Sequence, residues 1–194
     1  MLSRNHQIEI RWCVLFTLIG MCGAGIAARA QVTVVSLGNV SAGVNTEVIV
    51  PVLLNPATTE TRVGSISSII GFDRKLVTFL RAEKGFLLDG VNGKFQTKVQ
   101  ENAAKPENSN LQLEIATEGE PRKALREGLV LSLIFKINAD TPPNTMVPLR
   151  FEKVSAGSAD TASQPIEPIT STPGSIEVLS PESVPYVSCF FFTH

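Results

Sequence analysis

Between Gln31 and Leu179 the apolar residues recur mainly with a period of two. The clearest run starts at Gly128. Leu129, Leu131, Leu133, Phe135 and Ile137 occupy one parity, while Ser132, Lys136 and Asn138 fall on the other. Successive side chains of a strand point to opposite faces, so this pattern predicts one core face and one wetter face. Phe95, Thr97 and Val99 alternate with Lys94, Gln96, Lys98 and Gln100, and Leu111, Leu113 and Ile115 alternate with Gln112 and Glu114. Val147, Leu149 and Phe151 alternate with Pro148, Arg150 and Glu152, and Ile176 and Val178 flank Glu177. Val48–Leu54 is apolar on both parities and holds Pro51. A proline donates nothing to a ladder, which predicts an edge strand or a bulge there.

These patterns predict about nine strands, near residues 32–37, 46–54, 65–72, 76–81, 94–100, 111–117, 129–138, 147–153 and 175–179. Leu37–Gly43, Asn55–Thr61, Glu101–Asn110, Ala139–Thr145 and Ala156–Gly174 read as turn-rich separators. No stretch sustains a helical period. The expected class is therefore all-β, a β-sandwich or jelly roll of about nine strands.

The chain's ends read differently. Arg4 and Arg11 precede an uncharged run, Trp12–Ala28, which ends in Ala28-Arg29-Ala30. A positive start, an apolar middle and a small-x-small end predict a secretory signal peptide over residues 1–30, cut before Gln31. An uncleaved membrane anchor is the alternative, but this Gly-rich run sits at the short limit for spanning a bilayer. Met21 is too large to make Cys22 a lipoprotein site. The domain is expected over 31–179, with a linker and apolar tail over 180–194. The protein is expected to be secreted, periplasmic or at the cell surface, touching membrane only through the leader.

Removing residues 1–30 takes away Trp12, Cys13, Cys22 and His6, leaving Cys189 and His194 as the remaining members of the 3 Cys and 2 His. The predicted domain thus lacks His, Cys, Trp and Tyr. A Ser-His-Asp triad, a Cys-His pair and a thiolate or imidazole zinc site are excluded within it. Glu118, Glu120, Asp160 and Glu167 fall in predicted loops and read as solvated charges rather than a paired acid and base. No EF-hand loop, phosphate-binding loop or dinucleotide glycine pattern occurs, so no metal, no cofactor and no enzyme activity are expected. A net charge of −1 gives no basic balance toward nucleic acid.

The order of the segments resembles the cohesin domain, a nine-stranded jelly roll related to carbohydrate-binding modules. Thr46-Glu47-Val48-Ile49-Val50-Pro51-Val52 is similar to that family's D-x-V-x-V-P-V strand. Gly64–Asp73 followed by Lys75-Leu76-Val77-Thr78-Phe79 is similar to its glycine-led strand and Y-D-P-x-x-L-x-F turn, with Phe72 for the usual Tyr and Arg74 for Pro. Gly85-Phe86-Leu87-Leu88 resembles G-x-L-L, and Gly128–Lys136 resembles G-x-L-x-x-I-x-F-K. Val154-Ser155 through Gly174-Ser175-Ile176-Glu177-Val178 resembles the closing V-S…N-G-S-I-x-V. In this reading Phe72 anchors the core and Asp73 holds the turn through its own backbone.

The resemblance implies a non-catalytic module that holds a dockerin, a small calcium-binding helical module, on one sheet, mainly on the third, fifth, sixth and eighth predicted strands. Carried onto this chain, the partner-binding face comprises Ser65, Ser67 and Ile69 on the third predicted strand. Gln96 and Lys98 lie on the fifth, and Gln112, Glu114 and Glu118 on or just after the sixth. Ser65 and Ser67 are shorter than the polar or acidic side chains common there. Attachment to a dockerin-like module or another envelope protein, in an extracellular polysaccharide-handling context, ranks first. Direct glycan binding by a carbohydrate-binding module is the alternative. Phe72, Phe79, Phe86, Phe95, Phe135 and Phe151 are the only aromatic residues available in the domain, mostly at inward parity, which disfavours a flat sugar platform.

The tail Tyr186-Val187-Ser188-Cys189-Phe190-Phe191-Phe192-Thr193-His194 has three readings. It is a strand added to another subunit, a signal read by a partner, or a segment folded back on its own domain. Cys189 pairs between chains or stays free.

Overall fold

The computed structural model describes residues 31–102, 105–160 and 162–183. The predicted leader, Cys189 and Phe190–Phe192 lie outside the described residues. The strands are β1 (Thr33–Leu37), β2 (Asn39–Gly43), β3 (Glu47–Asn55), β4 (Val63–Asp73), β5 (Val77–Lys84), β6 (Lys94–Glu101), β7 (Asn108–Ala116), β8 (Gly128–Ile137), β9 (Met146–Ser158), β10 (Ile169–Thr172) and β11 (Gly174–Leu179). A short helix, α1 (Phe86–Gly90), joins β5 to β6, and a 3-10 turn, Pro181–Ser183, follows β11. Among the described residues no helix is long and apolar enough to cross a membrane.

The alternation read from the sequence is realised as burial. Val48, Val50, Val52 and Leu54 of β3 and Leu131, Leu133, Phe135 and Ile137 of β8 enter one core. Ile66, Ile70 and Phe72 of β4 and Leu111, Leu113 and Ile115 of β7 meet them from the other side. The strands divide into a five-stranded sheet, ordered β10-β1-β3-β8-β5, and a six-stranded sheet, ordered β2-β11-β9-β4-β7-β6. The result is a two-sheet β-sandwich. At its centre the Phe135 ring meets Phe72 of the opposite sheet edge-on at 5.4 Å and Phe79 of its neighbouring strand at 5.5 Å. Edge-to-face pairs of this kind stabilise beyond the area they bury.

Two strands lie where turns were expected. β2 falls within Leu37–Gly43 and β10 within Ala156–Gly174. Both come from bends. The first segment runs in the five-stranded sheet as β1, turns at Gly38 and continues in the six-stranded sheet as β2. The last segment makes the same passage at Pro173-Gly174. β10 lies parallel to β1, with Thr33 opposite Ile169, and β11 lies parallel to β2, with Ser175 opposite Asn39. The two segments touch at the bend, where a Cβ on Gly174 would stand 2.5 Å from the Gly38 carbonyl oxygen.

Of the two expectations for the Pro51 segment, the bulge is found and the edge is not: the register with β8 shifts between Val52 and Leu53. β3 is not an edge strand: it lies between β1 and β8, and Pro51 stands opposite Ser132. Its missing N–H is tolerated because pairing with β1 ends one residue earlier, at Leu37 opposite Val52. There the chain has turned away at Gly38, whose N–H donates to the Pro51 carbonyl at 2.9 Å.

The turn between β4 and β5 is fastened from two sides. Asp73 Oδ1 accepts the Lys75 N–H at 2.8 Å, and Phe72 beside it is buried. From the end of β8, Asn138 Nδ2 donates to the carbonyls of Arg74 and Lys75 at 3.0 and 2.9 Å. Thr78 Oγ1 donates to Asn138 Oδ1 at 2.8 Å.

Candidate binding face

Ile66 and Ile70 of β4 point into the core, so Ser65, Ser67 and Ile69, on the other parity, fall on the outer face of the six-stranded sheet. The same parity turns Gln112 and Glu114 of β7 and Gln96 and Lys98 of β6 outward. Register assembles these positions into rows. One row runs Gln96, Glu114, Ser67 and Ser155 across β6, β7, β4 and β9. The next runs Lys98, Gln112, Ile69 and Lys153, and on the other side lies Lys94, Ala116, Ser65 and Gly157. Glu118 follows β7 and pairs through Oε1 with Lys94 Nζ at 2.7 Å, which fastens it to the edge of that last row. All eight residues singled out from the sequence thus share one face.

The eighth predicted strand, which the resemblance assigns to this face, is β9, but none of its residues was singled out. That strand was expected to end near residue 153, yet it runs to Ser158 and brings Lys153, Ser155 and Gly157 alongside β4. A signal was present: Val154, Ala156 and Ser158 alternate with those three residues, and Ala156 and Ser158 are buried. Their small size hid the apolar parity. Lys94 and Ala116 were also missed. Ala116 lies opposite both Ser65 and Lys94, so it joins the two edges of its row.

The face is polar and lightly charged. Gln112 Nε2 donates to Glu114 Oε1 at 2.9 Å, tying adjacent rows together along β7. Small residues at Ser65, Ala116, Ser155 and Gly157 leave a shallow depression of about 410 Å³, rimmed by Lys94, Gln96, Glu114 and Glu118. At Gly157 an added Cβ would come within 2.6 Å of Ser163 Oγ and 2.7 Å of Ser65 Oγ, so a side chain there would crowd this depression. Strand-borne side chains held in ladder register form a rigid surface. Such a surface offers hydroxyl and amide hydrogen-bonding groups and a few charges.

The other candidate carboxylates have structural surroundings. Asp160 pairs with Arg62 at 3.4 Å, and Glu120 and Glu167 each precede a cis proline, at exposed positions. Among the described residues no group of three or more His, Cys, Asp or Glu side chains is placed to hold a metal ion. Of the described phenylalanines, Phe72 and Phe135 are buried and Phe79, Phe95 and Phe151 pack partly against the core. Phe86 is 65% exposed, but it stands on α1, outside the rows described above.

Comparison with known proteins follows the same lines. The family model described as Cohesin domain matches residues 33–178. Among solved structures, the chain is similar to the third cohesin of ScaC from Acetivibrio cellulolyticus, solved in complex with the ScaB dockerin. The identity is 18% and the TM-score 0.64, over 76% of this chain and 99% of that one. It is similar to the OlpA cohesin of Clostridium thermocellum, solved in complex with Doc918, at 18% identity and TM-score 0.62 over 76% and 99%. It is also similar to a non-cellulosomal cohesin from the archaeon Archaeoglobus fulgidus, at 18% identity and TM-score 0.59 over 78% and 94%. No curated protein matches the chain. At these identities the structural likeness speaks for the fold.

Proposed function

The chain is a member of the cohesin family, and on that premise we propose that it is a non-catalytic module that holds a protein partner on the outer face of β9, β4, β7 and β6. The observation that supports this most directly is the ladder register. It gathers Ser65, Ser67, Ile69, Gln96, Lys98, Gln112 and Glu114 into adjoining rows on one rigid face, and the pair with Lys94 holds Glu118 beside them. The relatives solved with dockerins make a dockerin-like module the first partner to test, and another surface protein the second. The leader-like first thirty residues support export to the periplasm, the cell surface or the medium. A polysaccharide-handling setting accords with the dockerin-bound relatives. The scarcity of exposed aromatic rings speaks against direct glycan binding.

Titration calorimetry on the purified chain tests the proposal, with a panel of dockerin modules in one arm and soluble polysaccharides in the other. Binding to at least one protein module is expected, with none to the glycans. Ser67→Trp and Glu114→Arg place bulk or reversed charge at the centre of the face. Each is expected to weaken protein binding by about 1–2 kcal/mol, or roughly 5–30-fold. Retention on a polysaccharide without any protein partner would overturn the reading, as would unchanged partner binding by both folded variants.

A further inference from the structure

The two outer faces of the sandwich differ in chemistry. Against the polar rows of the six-stranded sheet, the five-stranded sheet presents apolar residues to solvent. Ile49 and Leu53 of β3 are 58% and 38% exposed, and Leu80, at the bulge of β5, is 40% exposed. Half-buried Pro51 stands between Ile49 and Leu53 on the same parity. Opposite Ile49 lies Ile134 of β8, which is buried yet does not belong to the core between the sheets. Charge adjoins this strip: Arg81 of β5 stands opposite Ile134 and reaches over β8 to Glu47 at the start of β3. Arg81 Nε donates to Glu83 Oε1 at 3.0 Å and its Nη1 to Glu47 Oε2 at 3.2 Å. Ile49, Pro51 and Leu53 thus form an apolar strip along one side of β3 that a cover would remove from water.

We propose that the cover is the chain's own C-terminal segment, residues 184–194. Its composition fits: Tyr186, Val187, Cys189 and Phe190–Phe192 are apolar or aromatic, and no Asp, Glu, Lys or Arg occurs from Val184 to His194. Its origin fits as well. Leu179 of β11 lies beside Gly43, and the Val178 N–H donates to the Thr145 carbonyl. The Asn45 N–H donates to the Ile137 carbonyl. The described chain therefore leaves the sandwich at the end where β3 begins. Crossing one sheet spacing takes roughly 10 Å, and reaching Ile49, two residues into β3, takes roughly 7 Å more. Phe190, seven residues beyond Ser183, reaches about 23 Å in extended chain, which brings Phe190–Phe192 over Ile49 and toward Leu53. Rings laid there bury apolar surface on both partners and leave the opposite face free for a ligand.

Cys189 supplies the probe. In the full chain with Cys13→Ser and Cys22→Ser, one further cysteine is introduced at a time: Ile49→Cys, Leu53→Cys, or Gln100→Cys as a control on β6 of the other sheet. A disulfide needs Cα atoms about 4.4–6.8 Å apart. After mild oxidation of a dilute sample, peptide mass spectrometry is expected to find Cys189 joined to position 49 or 53 within one chain. The yield should be at least tenfold above that at position 100. In the otherwise native full chain, Phe190→Ser, Phe191→Ser and Phe192→Ser combined are expected to raise binding of a hydrophobic dye several-fold. Linkage only between two chains would assign the face to a second copy and overturn the proposal. Equal linkage at position 100, no linkage at 49 or 53, or unchanged dye binding would overturn it too.

Discussion

Gly174 is the point at which the first and last segments of the domain press together, and Gly174→Ala tests that reading of the fold. The added methyl carbon would lie 2.5 Å from the Gly38 carbonyl oxygen, 2.7 Å from Leu37 Cβ and 3.1 Å from the Leu37 carbonyl carbon. Ordinary carbon contacts are about 3.5–4.0 Å, so one segment must move by roughly 1 Å. None of the three atoms is the tip of a flexible side chain. Relief requires shifting β1 or β11, and with it the parallel pairs Val178–Ala42 and Ser36–Thr172. Forced overpacking of this kind costs about 2–3 kcal/mol. For a domain of this size that lowers Tm by roughly 4–10 °C. The comparison is Gly90→Ala at the end of α1, where nothing lies within 4 Å of the added carbon. Relief of chain entropy makes that change neutral or stabilising, by up to about 1 kcal/mol. Thermal and urea denaturation followed by circular dichroism read both, and a lower urea midpoint at an unchanged m-value reads as a loss of stability. A Gly174→Ala protein melting within a degree of the parent would refute the close crossing.

Three further outcomes are expected. Ser68 Oγ is buried on the core side of β4 without a hydrogen-bond partner, so Ser68→Ala should stabilise the fold by about 1 kcal/mol, and a lower Tm would show that the hydroxyl has a partner. Asn138→Ala removes the acceptor of Thr78 and both side-chain bonds to the β4–β5 turn. A loss of about 2–3 kcal/mol in urea unfolding is expected, and a loss under 0.5 kcal/mol would discount the clasp. Lys94→Ala breaks an exposed pair with Glu118 and should change stability by no more than roughly 0.5 kcal/mol, with the effect vanishing in high salt. A larger effect that persists in salt would contradict a solvated pair.

The strands of strong alternation were legible because each carries its own evidence of burial. Leu129–Ile137 needs no partner to announce which side is inward. β2 and β10 were not legible for the converse reason. Asn39-Val40-Ser41-Ala42-Gly43 and Ile169-Thr170-Ser171-Thr172 are edge strands with few core side chains, and their ladder bonds come from backbone groups that every sequence carries. The inner end of β9 was hidden in the same way, since Ala156 and Ser158 fill inward positions with little apolar bulk. On the proposed binding face, parity identified which side chains of β4, β6 and β7 point outward. Which of them are neighbours depended on pairing across strands distant in the chain.

By itself the sequence determined an all-β chain, the inward and outward parity of its main strands, and a domain without histidine or thiol chemistry. Those properties follow from side-chain period and residue type, which are local. Tertiary structure decided the division into two sheets, the central place of Pro51, the parallel crossing at Gly38 and Gly174, and the rows joining Ser67 to Glu114, Gln96 and Ser155. Register has that status because a strand's backbone bonds equally well to many partners. Only burial of all the inward faces in one shared core selects the pairing.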